Sequence, residues 1–183
     1  MSDAAATAKD CAIAAWDRQP HSPEESHAVV EALLATPLDE GARAWCELVE
    51  GFYFLRTGRH HQGRSPLSRA IAAFEASGER RGSLIARSGI AWADFIDNKH
   101  AAALAEYRAI LEQGTRHLTD LDRAQIAGNH GTLSWIAGDL SAAIPGLFEA
   151  SQILAAHCQH TRLAVALTNL AGVLADLGDF VST

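Results

Sequence analysis

The sequence predicts an all-helical chain of antiparallel helix hairpins repeated every 40 residues. Four turn-like segments centre on positions 58, 98, 138 and 178: Arg56-Thr57-Gly58-Arg59-His60, Ile96-Asp97-Asn98-Lys99-His100, Ile136-Ala137-Gly138-Asp139-Leu140 and Asp176-Leu177-Gly178-Asp179-Phe180. Gly or Asn at the centre suits a helix end that enters the left-handed region. Small residues recur in register around these turns: Gly51, Ala91, Gly131 and Ala171 before them, Gly63, Ala103 and Ala143 after them. Such columns let the two helices of a hairpin approach closely. Alternating runs of Val, Ile and Thr are missing, whereas the strong helix formers are abundant, so strands are not expected.

Taken in order, residues 1–40 read as an irregular helix pair. The first helix covers about 3–17 and breaks at Asp17-Arg18-Gln19-Pro20, because proline disfavours helix in the residue before it. Ser22 then reads as an N-cap, with Pro23 at the first helical position and Glu25 completing a capping box. The second helix runs to about Ala35, ahead of Thr36-Pro37. Repeat units follow at 41–80, 81–120 and 121–160, with a partial unit at 161–183. Their first helices are expected near 41–57, 82–97, 121–137 and 161–177, and their second helices near 60–77, 100–114 and 140–157. Polar, turn-rich links join the units, and the total is about seven to nine helices. Two larger apolar columns, Leu67/Tyr107/Leu147 and Ala70/Ile110/Ala150, are the expected filling around the small-residue contact.

Composition narrows the function classes. With 183 residues, 48% of them hydrophobic and 20% charged, the chain can bury a core and does not resemble a disordered tail. A net charge of −7 speaks against nucleic acid as partner, since phosphate binding draws on a surplus of Lys and Arg. The first residues lack the basic start and apolar stretch of a signal peptide, and no apolar run reaches the ~18 residues of a membrane span. A cytoplasmic location without membrane contact is therefore expected. Cys11, Cys46 and Cys158 are far apart and form no C-x-x-C motif, which fits small packed thiols.

Two stretches resemble the tetratricopeptide (TPR) repeat. Asn169-Leu170-Ala171-Gly172-Val173-Leu174-Ala175-Asp176-Leu177-Gly178-Asp179-Phe180 is similar to that family's first helix and turn, and Asn129-His130-Gly131 through Ala137-Gly138-Asp139-Leu140 matches it again. The units at 41–80 and 81–120 match more loosely, through Gly51, Phe54, Gly58, Ala91, Asn98, Ala103 and Tyr107. The 40-residue period departs from the family's usual ~34, and HEAT and armadillo repeats, also near 40, are the rival. The resemblance implies a right-handed superhelical α-solenoid that binds proteins or peptides. Long variants of the repeat resemble regulatory regions of bacterial signalling proteins, ahead of output domains such as a GGDEF diguanylate cyclase or a transcription activator. A small-ligand or signal-peptide receptor of a transcription regulator is the alternative.

No hydrolase elbow, phosphate loop or dinucleotide fingerprint is present, so no catalytic residue and no cofactor are expected. His60-His61 and His157/His160 are the densest histidine groups, too few for a zinc site of three or four ligands, so no metal is expected. The resemblance puts partner binding on the first helices. Their inward positions include Trp45, Val49 and Phe52, then Ile85, Gly89 and Trp92, then Gln125, Asn129 and Thr132, then Val165, Asn169 and Gly172. In clamp-type members the Asn position holds a peptide backbone or carboxylate. The Lys and Arg neighbours of such a clamp are missing, and Asn129 and Asn169 fit a helix-to-helix hydrogen bond equally well. Trp45, Trp92 and Trp135 could line a groove or fill the core. A last expectation concerns residues 161–177. Leu163, Val165, Leu167, Leu170, Val173, Leu174 and Leu177 lack a covering helix, so the chain is expected to be a fragment of a longer protein or to bury this end in a homodimer.

Overall fold

In the computed structural model the backbone is described for residues 2–181 and the side chains for residues 8–178. Every regular element among the described residues is a helix: α1 (Ser2–Arg18), α2 (Pro23–Leu34), α3 (Glu40–Arg56), α4 (His60–Ser77), α5 (Arg80–Ile96), α6 (His100–Gly114), α7 (Asp120–Ile136), α8 (Leu140–Ala156) and α9 (His160–Val181). The first helices of the units begin one or two residues ahead of the expected positions. The 40-residue rhythm is visible in the backbone hydrogen bonds. The Arg59 N–H donates to the Phe54 carbonyl at 2.8 Å and the Asp139 N–H to the Ser134 carbonyl at 2.9 Å. Both bonds close a left-handed turn, at Gly58 (φ +75°) and Gly138 (φ +83°), and Asn98 adopts the same region (φ +62°).

Two local expectations are corrected. The fourth turn does not form, because α9 continues through Gly178 to Val181. A glycine permits a left-handed turn without requiring it, and a helical glycine costs only about 1 kcal/mol relative to alanine. At positions 58 and 138 the turn is held by a helix folding back on the one before it, and no described residue does this beyond α9. The Phe180 side chain, Ser182 and Thr183, which belong to that expectation, lie outside the described residues. The capping box at Ser22 is also absent. Ser22 stands at the N-cap of α2 but makes no side-chain bond to it, its backbone (φ −138°, ψ 69°) departing from the extended geometry a cap uses. A reciprocal box forms instead at Thr119 and Asp122, at the start of α7.

The chain divides into two compact units, residues 1–96 and 97–183. The division falls in the turn of the second repeat, so it does not coincide with a repeat boundary. In the first unit α3 is central, packed by α1, α2, α4 and α5; in the second, α7 is packed by α6, α8 and α9. The small-residue columns act as expected. A Cβ on Gly51 would stand 2.5 Å from Leu67 Cγ, and one on Gly131 would stand 2.8 Å from both the Ala143 carbonyl oxygen and Leu147 Cγ. The α3–α4 and α7–α8 hairpins thus close with a leucine lying on a glycine of the facing helix. Leu67, Tyr107 and Leu147 are all buried, as are Ala70, Ile110 and Ala150. Pro66 and Pro145 sit inside α4 and α8. Each removes one helical hydrogen bond, and the helix continues across it beside the buried leucine that follows or nearly follows.

Candidate functional site: the open face of α9

All but one of the expected binding residues of the first unit are core. Trp45, Val49, Phe52, Ile85 and Gly89 are buried, and this corrects the inward-groove assignment for them. The cause is the packing of helices on every side of α3. Trp16 of α1 meets Phe52 edge-on at 4.8 Å, and Trp45 meets Phe74 of α4 edge-on at 5.2 Å beneath the Arg81 guanidinium. Trp92 is half-buried.

In the second unit Gln125, Asn129, Thr132 and Asn169 are half-buried and Val165 is exposed. The two asparagines hold helices together. Asn169 Nδ2 donates to Thr132 Oγ1 at 3.0 Å, joining α9 to α7. Asn129 hydrogen-bonds the buried Tyr107 side chain, joining α7 to α6. Trp135 likewise bridges helices, its indole N–H donating to Asp176 Oδ2 at 2.6 Å while its ring lies against Gly172. Beside Asn129 on α7, His130 is buried against Tyr107. Burial, followed by the nearby Arg108 charge, holds its imidazole below the usual histidine range, and Asp139 opposes this.

What remains open is one side of α9. Its inner side is packed: Ala166 joins Ala124, Ala150 and Leu154, and Val173 joins Ala143 and Leu147. On the opposite side Leu167 is 48% exposed, Leu174 50% and Val165 58%, and Ala164, Thr168, Ala171, Ala175 and Gly178 are exposed with them. Ala164, Leu167, Ala171, Leu174 and Gly178 follow one another at spacings of three and four, so they share a helix face. From Leu163 to Ala175 the helix carries no charged residue.

The repeat identifies this face. Forty residues earlier, the same positions on α7 are Ala124, Ala127, Gly131 and Ser134, all buried, because α8 lies on them. One hundred and twenty residues earlier, on α3, they are Ala44, Glu47 and Gly51, buried, and Phe54, half-buried, with α4 against them. There Glu47 is paired with Arg69 of α4 at 2.8 Å. Leu167 and Leu174 were legible as uncovered apolar residues. Ala164, Thr168, Ala171 and Ala175 were not seen as part of a site, although the register of Ala171 with Gly51 and Gly131 carried that signal.

A concave feature lies in the first unit. A cavity of about 220 Å³ is lined by Lys9, Gly41, Trp45, Phe74, Ser77, Gly78 and Glu79, with Lys9 and Glu79 paired at 3.3 Å. The Trp45 indole N–H is buried and has no acceptor among the described residues.

No helix among the described residues is long and apolar enough to cross a membrane. Neither the protein-family models nor the curated proteins compared with this chain give a match.

Proposed function

We propose that this chain is a non-catalytic protein-interaction module that accepts a helix of another chain on the open face of α9. One observation carries the reading: α9 leaves bare the repeat positions that α4 and α8 cover on α3 and α7. Such positions are shaped for a helix with a small residue at the closest approach and a leucine beside it, as Ala143 and Leu147 of α8 provide. An uncharged, partly apolar strip is also the character of a surface that meets another protein rather than water. The wider expectation, in which the array reports to an output domain such as a diguanylate cyclase, rests on the tetratricopeptide resemblance alone.

The test is a labelled peptide of residues 139–158, whose sequence is that of α8. Fluorescence anisotropy with the full chain is expected to show saturable binding, lost in the Ala171→Glu variant. If the peptide shows no binding at high micromolar concentration, or binds the variant equally well, the reading fails.

The small-ligand alternative has one observation in its favour, the unpaired indole N–H of Trp45 beside the cavity of about 220 Å³. That volume is below the ~300 Å³ at which pockets for drug-sized ligands begin. It would suit a ligand of few atoms carrying an acceptor for the indole. A metabolite that raises the melting temperature through Trp45, while peptides have no effect, would favour this reading over the first.

A further inference from the structure

We infer that the cavity of about 220 Å³ in the first unit binds a small zwitterion, a free α-amino acid with a short apolar side chain. The inference gives this site a ligand class. It stands apart from the open face of α9, which belongs to the other unit.

The lining combines opposite charges with an apolar wall. Lys9 of α1 supplies an ammonium, and Glu79, in the link after α4, supplies a carboxylate. Trp45 of α3 and Phe74 of α4, edge-on at 5.2 Å, form the apolar part. The Trp45 indole N–H is buried without an acceptor among the described residues, so nothing within the chain offsets its loss of water. Ser77 donates its hydroxyl proton to the Ala73 carbonyl at 2.9 Å, which leaves its oxygen as an acceptor on the cavity wall.

Charge selects the ligand. Lys9 and Glu79 pair at 3.3 Å with side chains 38% and 32% exposed, and a part-exposed pair of this kind is weak and opens at little cost. A simple anion would pair with Lys9 and be repelled by Glu79; a simple cation would meet the reverse. A zwitterion satisfies both, its carboxylate on Lys9 and its ammonium on Glu79 with the Ser77 oxygen as a further acceptor. The carboxylate also brings the acceptor that the indole N–H lacks. Size sets the rest. The volume is roughly seven times the ~30 Å³ share of one water, which leaves room for about six to nine non-hydrogen atoms. Alanine, valine and leucine fall in this range, whereas the aromatic amino acids exceed it.

Calorimetric titration of the full chain with leucine, 4-methylpentanoate and 3-methylbutylamine tests this, since the last two are leucine without its ammonium and without its carboxylate. Leucine is expected to bind saturably with a Kd below ~1 mM and to raise the melting temperature. Each analogue is expected to bind about tenfold more weakly or worse. Glu79→Gln, at a part-exposed link position, is expected to weaken leucine about tenfold and to leave 4-methylpentanoate no weaker, because the repelling charge is gone. Trp45→Phe keeps a ring and removes the N–H, and about fivefold weaker leucine binding is expected. Absence of heat and of any melting shift with alanine, valine and leucine at about 10 mM overturns the inference. Equal affinity for leucine and 4-methylpentanoate overturns it too, since the site would then recognise an anion. Leucine binding indifferent to both Glu79→Gln and Trp45→Phe places the ligand elsewhere. None of these results bears on the 139–158 peptide, whose binding is expected to be lost in Ala171→Glu and kept in Glu79→Gln.

Discussion

Helices α7 and α9 are two versions of one sequence segment in two environments. Both carry the Asn, the small residue two positions on and a Gly-Asp pair after them: Asn129, Gly131 and Gly138-Asp139 in α7 and its turn, Asn169, Ala171 and Gly178-Asp179 in α9. On α7 the segment is covered on both sides and ends in a left-handed turn. On α9 it is covered on one side only and runs on as helix. The residue at the centre of the contact differs accordingly. Gly131 meets a backbone carbonyl so closely that no side chain fits, whereas Ala171 faces outward. The contrast teaches that the repeat encodes a surface, and that the presence of a following helix decides whether this surface is core or binding face.

The strongest way to break the comparison is to put one side chain at both places. Gly131→Leu drives atoms into the Ala143 carbonyl and Leu147, and a loss of about 3 kcal/mol or more is expected, enough to abolish cooperative unfolding of the second unit. Ala171→Leu, measured on dilute protein, is expected to change stability by less than about 0.5 kcal/mol. Urea denaturation of the two variants side by side gives the answer. Equal destabilisation would mean that the α9 face is not open.

The asparagine pair gives a smaller contrast. Asn129→Ala removes a partner from the fully buried Tyr107 hydroxyl, and a cost of about 1–3 kcal/mol is expected for such a group. Asn169→Ala removes the donor to the half-buried Thr132 hydroxyl, which still donates to the Gly128 carbonyl and can accept from water instead, and about 0.5–1.5 kcal/mol is expected. If Asn169→Ala left stability untouched but abolished peptide binding, Asn169 would be a ligand group rather than a bond between helices.

The smallest contrast is in pH dependence. His130 on α7 corresponds to Leu170 on α9. The folded-state pKa of His130 is depressed, so below the unfolded value of 6.5 the unfolded chain binds more protons than the folded one. Stability from keeping this imidazole neutral is therefore present above pH 6.5 and lost as pH falls through the folded value. Glu50 acts in the opposite sense: burial raises its carboxyl pKa, so its contribution to stability grows as pH falls. The difference in melting temperature between the chain and its His130→Leu variant, followed from about pH 8 to about pH 5.5, isolates the histidine contribution. A difference that does not change with pH would show that His130 titrates alike in both states.

The hairpin architecture was legible because it depends on contacts local in sequence. A Gly or Asn turn at fixed intervals and small residues at fixed distances from it are enough to place two helices side by side, and Gly51 with Leu67 and Gly131 with Leu147 do what their spacing implied. The site was less legible. Trp45, Val49, Phe52 and Ile85 follow the same helical periodicity whether they face a groove or another helix, and only the packing of α1, α2, α4 and α5 around α3 turns them into core. The caps make the point on a small scale. Ser22-Pro23-Glu24-Glu25 and Thr119-Asp120-Leu121-Asp122 carry related signals, yet only Thr119 has the extended backbone (ψ 162°) that lets the box close.

The amino-acid order therefore sets most of the helix bounds up to α8 and pairs α3 with α4 and α7 with α8. These depend on left-handed turns, proline breaks and close helix approach, all set within about 40 residues of chain. Tertiary structure decides which apolar face is buried and which is left for a partner, and whether an asparagine holds a helix or a ligand. Burial is a relation between elements: Ala171 and Gly131 occupy the same repeat position, and only the presence of α8 on one and of no described helix on the other separates core from surface.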